Sequence, residues 1–147
     1  MREQGRARLA EARMNEWVAT WLAAVGVQPL MGWAVTVLFY AALHYVDSYL
    51  IGVRCVRSPS HEMQDANIAD DDALRKAQIG ECFRELRKAS ISQRYQLQKF
   101  GRSEFKQIKR LYFDPIKREV ERLNREAKLE LCRDHSEQDS RGGWGWQ

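Results

Sequence analysis

A chain that contains LMGWAVTVLFYAAL, Leu30 to Leu43, must enclose that segment, because an apolar run of this length is strongly disfavoured in water. A bilayer or a protein interior can do so. A membrane span needs about 20 apolar residues, and here His44 and Asp47 interrupt the run. The segment therefore reads as part of a helix from about Leu30 to Val53, central in a bundle and touched on nearly all sides. The 147 residues, 44% hydrophobic and 30% charged, suffice for one soluble domain with a proper core.

The other segments are helical as well. Only three prolines and nine glycines punctuate the chain, good helix formers fill its interior, and no run alternates as a strand would. Leu9, Ala12, Met14, Trp17, Trp21, Leu22 and Val25 recur near helical spacing, and Gly26 and Pro29 end that first helix. Ser58-Pro59-Ser60 interrupts, with a short helix expected over His61 to Ile68. The aspartates 70–72 read as the cap of a third long helix, Ala73 to Gln96, with Leu74, Ala77, Cys82, Phe83, Leu86, Ile91 and Tyr95 on its core side. After Gly101 a short helix follows, and Asp114-Pro115 predicts a fresh start, Asp114 as N-cap and Pro115 at the first helical position. Ile116, Val120, Leu123 and Ala127 give that last helix a narrow apolar face. The class is all-α, an up-and-down bundle of four to five helices: one domain over 1–133 and a disordered tail over 134–147.

Cys55, Cys82 and Cys132 make no C-x-x-C pair, which speaks against a disulfide framework and a zinc cage. Glu3, Glu11 and Glu16 break up what would be a signal peptide. A cytoplasmic protein without cofactor, metal or membrane attachment is the expectation. Between Arg84 and Arg110 nine basic residues face two acidic ones, so this third of the chain could meet phosphates, with Lys106, Lys109 and Arg110 as candidate nucleic-acid contacts; a solvated helix face is the plainer alternative.

Three groups of residues could carry chemistry. On the apolar helix, Trp33, Thr36, Tyr40, His44, Asp47 and Ile51 fall near one line, and the i, i+3 pair His44–Asp47 can orient an imidazole. The same stripe could equally be a polar network that fixes helix packing. Next, Arg54, Arg57 and His61 would supply a phosphate-holding arginine and a proton-transferring histidine, the needs of metal-free RNA cleavage. Finally Ser90, Arg94 and Tyr95 fall close together on the third helix, where an arginine can pair with phosphate or carboxylate and a tyrosine can stack on a base or simply fill the core.

In this order, WAVTVLFYAALHYVDSYL, then SHEMQDANI, then CFRELRKASISQRYQ, the chain resembles the HEPN superfamily over roughly Ala12 to Leu123. The resemblance implies a bundle of four to five helices, often a homodimer, and for many members a metal-independent endoribonuclease of a toxin–antitoxin or defence system, some paired with a nucleotidyltransferase antitoxin. It implies RNA or a nucleotide as ligand, His61 as catalytic residue with Arg54 or Arg57, and Tyr40, His44, Asp47, Ser90, Arg94 and Tyr95 as the supporting pocket. Within the family signature, an arginine is usually followed by a polar residue and, four to six positions on, by a histidine in a helix. Only Arg54 to His61 has that spacing here, with Cys55 after the arginine and Pro59 between. Met63 stands where some toxins carry a tyrosine that the antitoxin modifies. A non-catalytic helical interaction module, its polar stripe structural, is the alternative reading.

Overall fold

The computed structural model describes residues 1–95 and 101–141, with side chains for 1–93 and 101–130. The described residues form helices and no strand. In chain order these are α1 (Glu3–Val25), α2 (Gln28–Gly52), α3 (His61–Asp70), α4 (Asp72–Lys76), α5 (Ile79–Tyr95), α6 (Arg102–Ile108), a π-helical turn (Lys109–Phe113) and α7 (Asp114–Arg141). The expected all-α bundle is what the chain forms.

α2 is its axis. α1, α5, α6, the π turn and α7 all pack against it, and Leu38, Phe39, Tyr45, Val46 and Leu50 are buried along its length. By length and composition α2 could cross a bilayer; here 61% of its most apolar window is buried by the fold. α1 runs back along α2 from a turn at Gly26, whose φ of 72° is the left-handed value that glycine adopts without a steric penalty.

The packing of α1 departs from expectation. Ala12 is buried and Leu9 and Leu22 partly so, but Met14, Trp17, Trp21 and Val25 are exposed. The face turned to α2 is Gly5, Ala12, Ala19 and Ala23. These small residues let the two backbones approach closely: a Cβ on Gly5 would collide with the Gly52 Cα and the Ser48 carbonyl. Bulky side chains cannot fit that seam, so they lie elsewhere.

Two further boundaries differ. The helix expected from Ala73 to Gln96 is broken into α4 and α5 at Gln78, which takes φ 56°. Phe83 and Leu86 are buried as expected, whereas Ile91 is 39% exposed. Asp71 caps α4, its carboxylate accepting from the Leu74 N–H at 3.0 Å. The expected restart at Asp114 is instead a continuation: Asp114 has helical dihedrals, and its N–H bonds to the Lys109 carbonyl in the π register. Pro115 has no N–H for the Leu111 carbonyl four residues back. The Cys82 thiol takes that carbonyl, at 3.8 Å. Beyond it Ile116, Val120 and Leu123 enter the core as expected. The helical backbone reaches Arg141 through part of the expected tail, and 142–147 lie outside the described residues.

Candidate functional site

The polar residues of α2 form the floor of a groove between α1 and α3. Asp47 is 8% exposed. Gln64, one turn into α3, donates from Nε2 to the Asp47 carboxylate at 3.0 Å and lies 3.4 Å from the Leu43 carbonyl. The opposite wall is α1: Glu11 Oε2 lies 3.3 Å from His44 Nδ1, and Arg8 pairs with Glu11 at 2.8 Å. His44 Nδ1 is buried and the Glu11 contact lacks hydrogen-bond geometry, so the two are near neighbours and not a bonded pair.

Above Asp47 the groove opens into a cavity of about 550 Å³ lined by Gln4, Arg8, Glu11, Asp47, Arg57 and Ser58, among others. Local sequence explains how the loop residues arrive there. After α2 the chain turns through Cys55 in the left-handed region, at φ 61°. Ser60 then caps α3 by accepting from the Met63 N–H at 3.2 Å. Between them Arg57 reaches across to the start of α1, donating to Gln4 Oε1 at 2.6 Å, and Asn67 holds Ser58 at 2.9 Å.

Burial dominates the electrostatics of the floor. Burial raises the Asp47 carboxyl to about 6, against the pull of Arg8 and of the Gln64 hydrogen bond, with Glu11 adding to the rise. Burial also holds the His44 imidazole below its ordinary value, with Glu11 opposing and Arg8 reinforcing that shift. Near pH 6 the floor thus holds a carboxyl that gains a proton readily and an imidazole that resists one. Arg57 and Arg8 at the rim, the latter paired with Glu11, and an acid at the base that gains a proton readily suit an anionic, hydrogen-bonding ligand.

The remaining predicted residues are distributed more widely. Arg54 is engaged away from the cavity, its Nε 3.2 Å from Asp71 Oδ2; the same carboxylate accepts from the Tyr49 hydroxyl at 3.2 Å. His61 opens α3 with its ring tilted against Phe39, 5.9 Å between centroids. Tyr40 is 39% exposed on the α2 stripe, its ring 5.6 Å from Phe39. Ser90 is fully buried in α5; Arg94 and Tyr95 end that helix, and their side chains lie outside the described ones. Lys106 and Arg110 are exposed on α6 and the π turn. Lys109 turns inward, 2.8 Å from Asp114, 3.9 Å from Glu16 and 5.4 Å from the Phe113 ring centroid.

Several basic residues of the 84–110 region are likewise occupied: Arg87 forks onto Asp65 with two 2.8 Å bonds, Lys88 pairs with Glu85, and Arg102 donates to the Ala24 carbonyl. Arg8, Glu11, Gln4 and Gln64 were not marked by the sequence as site residues, since their approach to Asp47 depends on how three helices assemble. Among the described residues no cluster of three His, Cys, Asp or Glu side chains is placed to hold a metal ion. Fold and site together define an all-α bundle with an arginine-rimmed, acid-floored cavity between α1, α2 and the loop before α3. No protein-family model matches the chain, and neither does a curated protein or a solved structure.

Proposed function

We propose that this is a HEPN-like cytoplasmic protein that engages RNA or a nucleotide through the cavity over Asp47, within a toxin–antitoxin or defence system. The observation that carries the reading is the convergence of Arg8 and Arg57 on one cavity whose floor is the buried Asp47. A cavity of about 550 Å³ falls in the size range of small-molecule sites, and two arginines are the usual means of holding a phosphate. The resemblance of the α2, α3 and α5 sequences to HEPN proteins supports the ligand class. In an endoribonuclease of this design Arg57 would hold the phosphate in place of Arg54, which Asp71 engages, and His61, which packs on Phe39 outside the cavity lining, would have to approach it to transfer the proton.

The test is calorimetric titration of the full chain with adenosine monophosphate and with a short single-stranded RNA. Arg8→Ala combined with Arg57→Ala should weaken binding at least tenfold, about 1.4 kcal/mol, while leaving the fold intact. Cleavage of RNA in the presence of a chelator, reduced about 10²–10⁴-fold by His61→Ala, would make it an enzyme. The engagement of Arg54 by Asp71 favours the second reading, a non-catalytic interaction module. Binding of neither ligand would decide for that module.

A further inference from the structure

We infer that α1 is a two-sided helix whose outer face is the interface for a second copy of this chain, paired antiparallel. Its inner face, Gly5, Ala12, Ala19 and Ala23, is occupied by α2. Roughly opposite, by about 160° at 100° per residue, lie Ala7, Ala10, Met14, Trp17, Trp21 and Ala24. Their spacing of three, four, three, four and three is that of a heptad seam, two-and-a-half repeats long and about 26 Å from end to end. All six are exposed, Met14 at 61%, Trp17 at 65% and Trp21 at 55%. Val25 continues the apolar surface beside them.

Area, charge and shape together select the occupant. With Val25 the seam presents on the order of 500–700 Å² of apolar surface, at or above the ~300–600 Å² of a typical monomer's largest patch and close to the ~800 Å² per side of a standard interface. A helix that docks on a bilayer carries lysines and arginines beside its aromatic residues. Here no Lys, Arg, Asp or Glu occurs from Trp17 through Val46, so on α1 only Arg13, one turn before Trp17, borders the tryptophans, and Trp21 has no charged neighbour one turn away in either direction.

The sizes along the seam match their own reverse. With two copies antiparallel, Ala7 meets Ala24 of the second copy, Ala10 meets Trp21, and Met14 meets Trp17, so the largest side chain lies against a small one. Arg13 then falls beside Thr20 of the other helix and Glu11 beside Val18, so no like charges are opposed. Parallel helices would stack Trp17 on Trp17 and Trp21 on Trp21, with gaps at the alanine layers.

Analytical ultracentrifugation of the full chain at roughly 100 µM, well above a Kd of about 10 µM, should give twice the monomer mass. Ala10→Glu and Trp21→Lys should each give monomer with unchanged helical circular dichroism, since both positions are exposed. Mixed in equal amounts the two variants should recover the dimer, because antiparallel pairing sets Glu against Lys in one layer and keeps Trp against Ala in its mate. A wild-type monomer, or a dimer indifferent to both substitutions, would overturn the interface. A mixture that stays monomeric would overturn the antiparallel register. A monomer that sediments with phosphatidylcholine–phosphatidylglycerol vesicles, and ceases to as Trp21→Lys, would assign the face to lipid instead.

Discussion

Asp47 is held in the folded chain at a pKa of about 6, well above its ordinary 3.8. The folded state thus keeps the carboxyl proton more tightly than the unfolded chain does. Its contribution favours folding most below about pH 4, declines as pH rises, and is gone above 6. That difference corresponds to about 3 kcal/mol. Asp47→Asn should therefore be close to wild type at pH 4 and more stable by about 2–3 kcal/mol at pH 8, as read by urea denaturation at the two values. His44 acts in the other sense. Its lowered pKa means that stability is lost as pH falls through the unfolded value near 6.5, so the variant should retain a gentle rise from pH 5 to 7. Ligand binding should follow the same group: the short single-stranded RNA, whose internal phosphodiesters keep a constant charge, should bind more tightly at pH 5.5 than at pH 8 in the wild type, and Asp47→Asn should reduce that difference. A pH-independent difference in stability would mean that Asp47 is compensated by a neighbour. The i, i+3 relation of His44 and Asp47 was readable from the chain; the α1 and α3 residues that surround them were not.

At the scale of elements, legibility tracked how local the determining interaction is. The start of α3 after Ser58-Pro59-Ser60, the aspartate cap of α4 and the end of α1 at Gly26 were all readable, because each is decided within about four residues. The break at Gln78 was not, since Leu74, Ala77 and Phe83 keep helical spacing straight through it and nothing in Gln78 favours a left-handed backbone. Gln78→Gly should for that reason raise stability, by about 0.5–1 kcal/mol in thermal or urea melts. The join before α7 misled in a different way. Asp-Pro is a fair start signal, but it loses when a side chain from elsewhere, here Cys82, satisfies the carbonyl that proline leaves open. The outward tryptophans of α1 misled most, since periodicity marks an apolar face without saying what will cover it.

For the whole molecule, charge divides into what holds the bundle and what faces outward. Glu16 of α1 accepts from the Tyr45 hydroxyl at 2.9 Å and from Lys117 of α7 at 2.8 Å, with Lys109 nearby, and so ties three helices at one carboxylate. Lys109→Glu would oppose both Glu16 and Asp114 and should lower the melting temperature by several degrees. Lys106→Glu with Arg110→Glu should leave the melt unchanged. If this surface meets RNA, that pair should flatten the slope of log affinity against log salt by about 1.4, the share of two phosphates on a single strand. An unchanged slope would mark the region as ordinary solvated surface. The close approach of Gly5 to Gly52 has a further effect on the cavity. Arg8 is one turn along α1 from Gly5, and Ile51, beside Gly52, shares the cavity lining with it. Those two glycines act as the spacer that sets how wide the site stands open. Gly5→Ala would wedge the helices apart at that end and carry Arg8 and Glu11 outward from Asp47. A methyl group that touches no ligand would then act as an affinity mutation, loosening the grip of the site from behind.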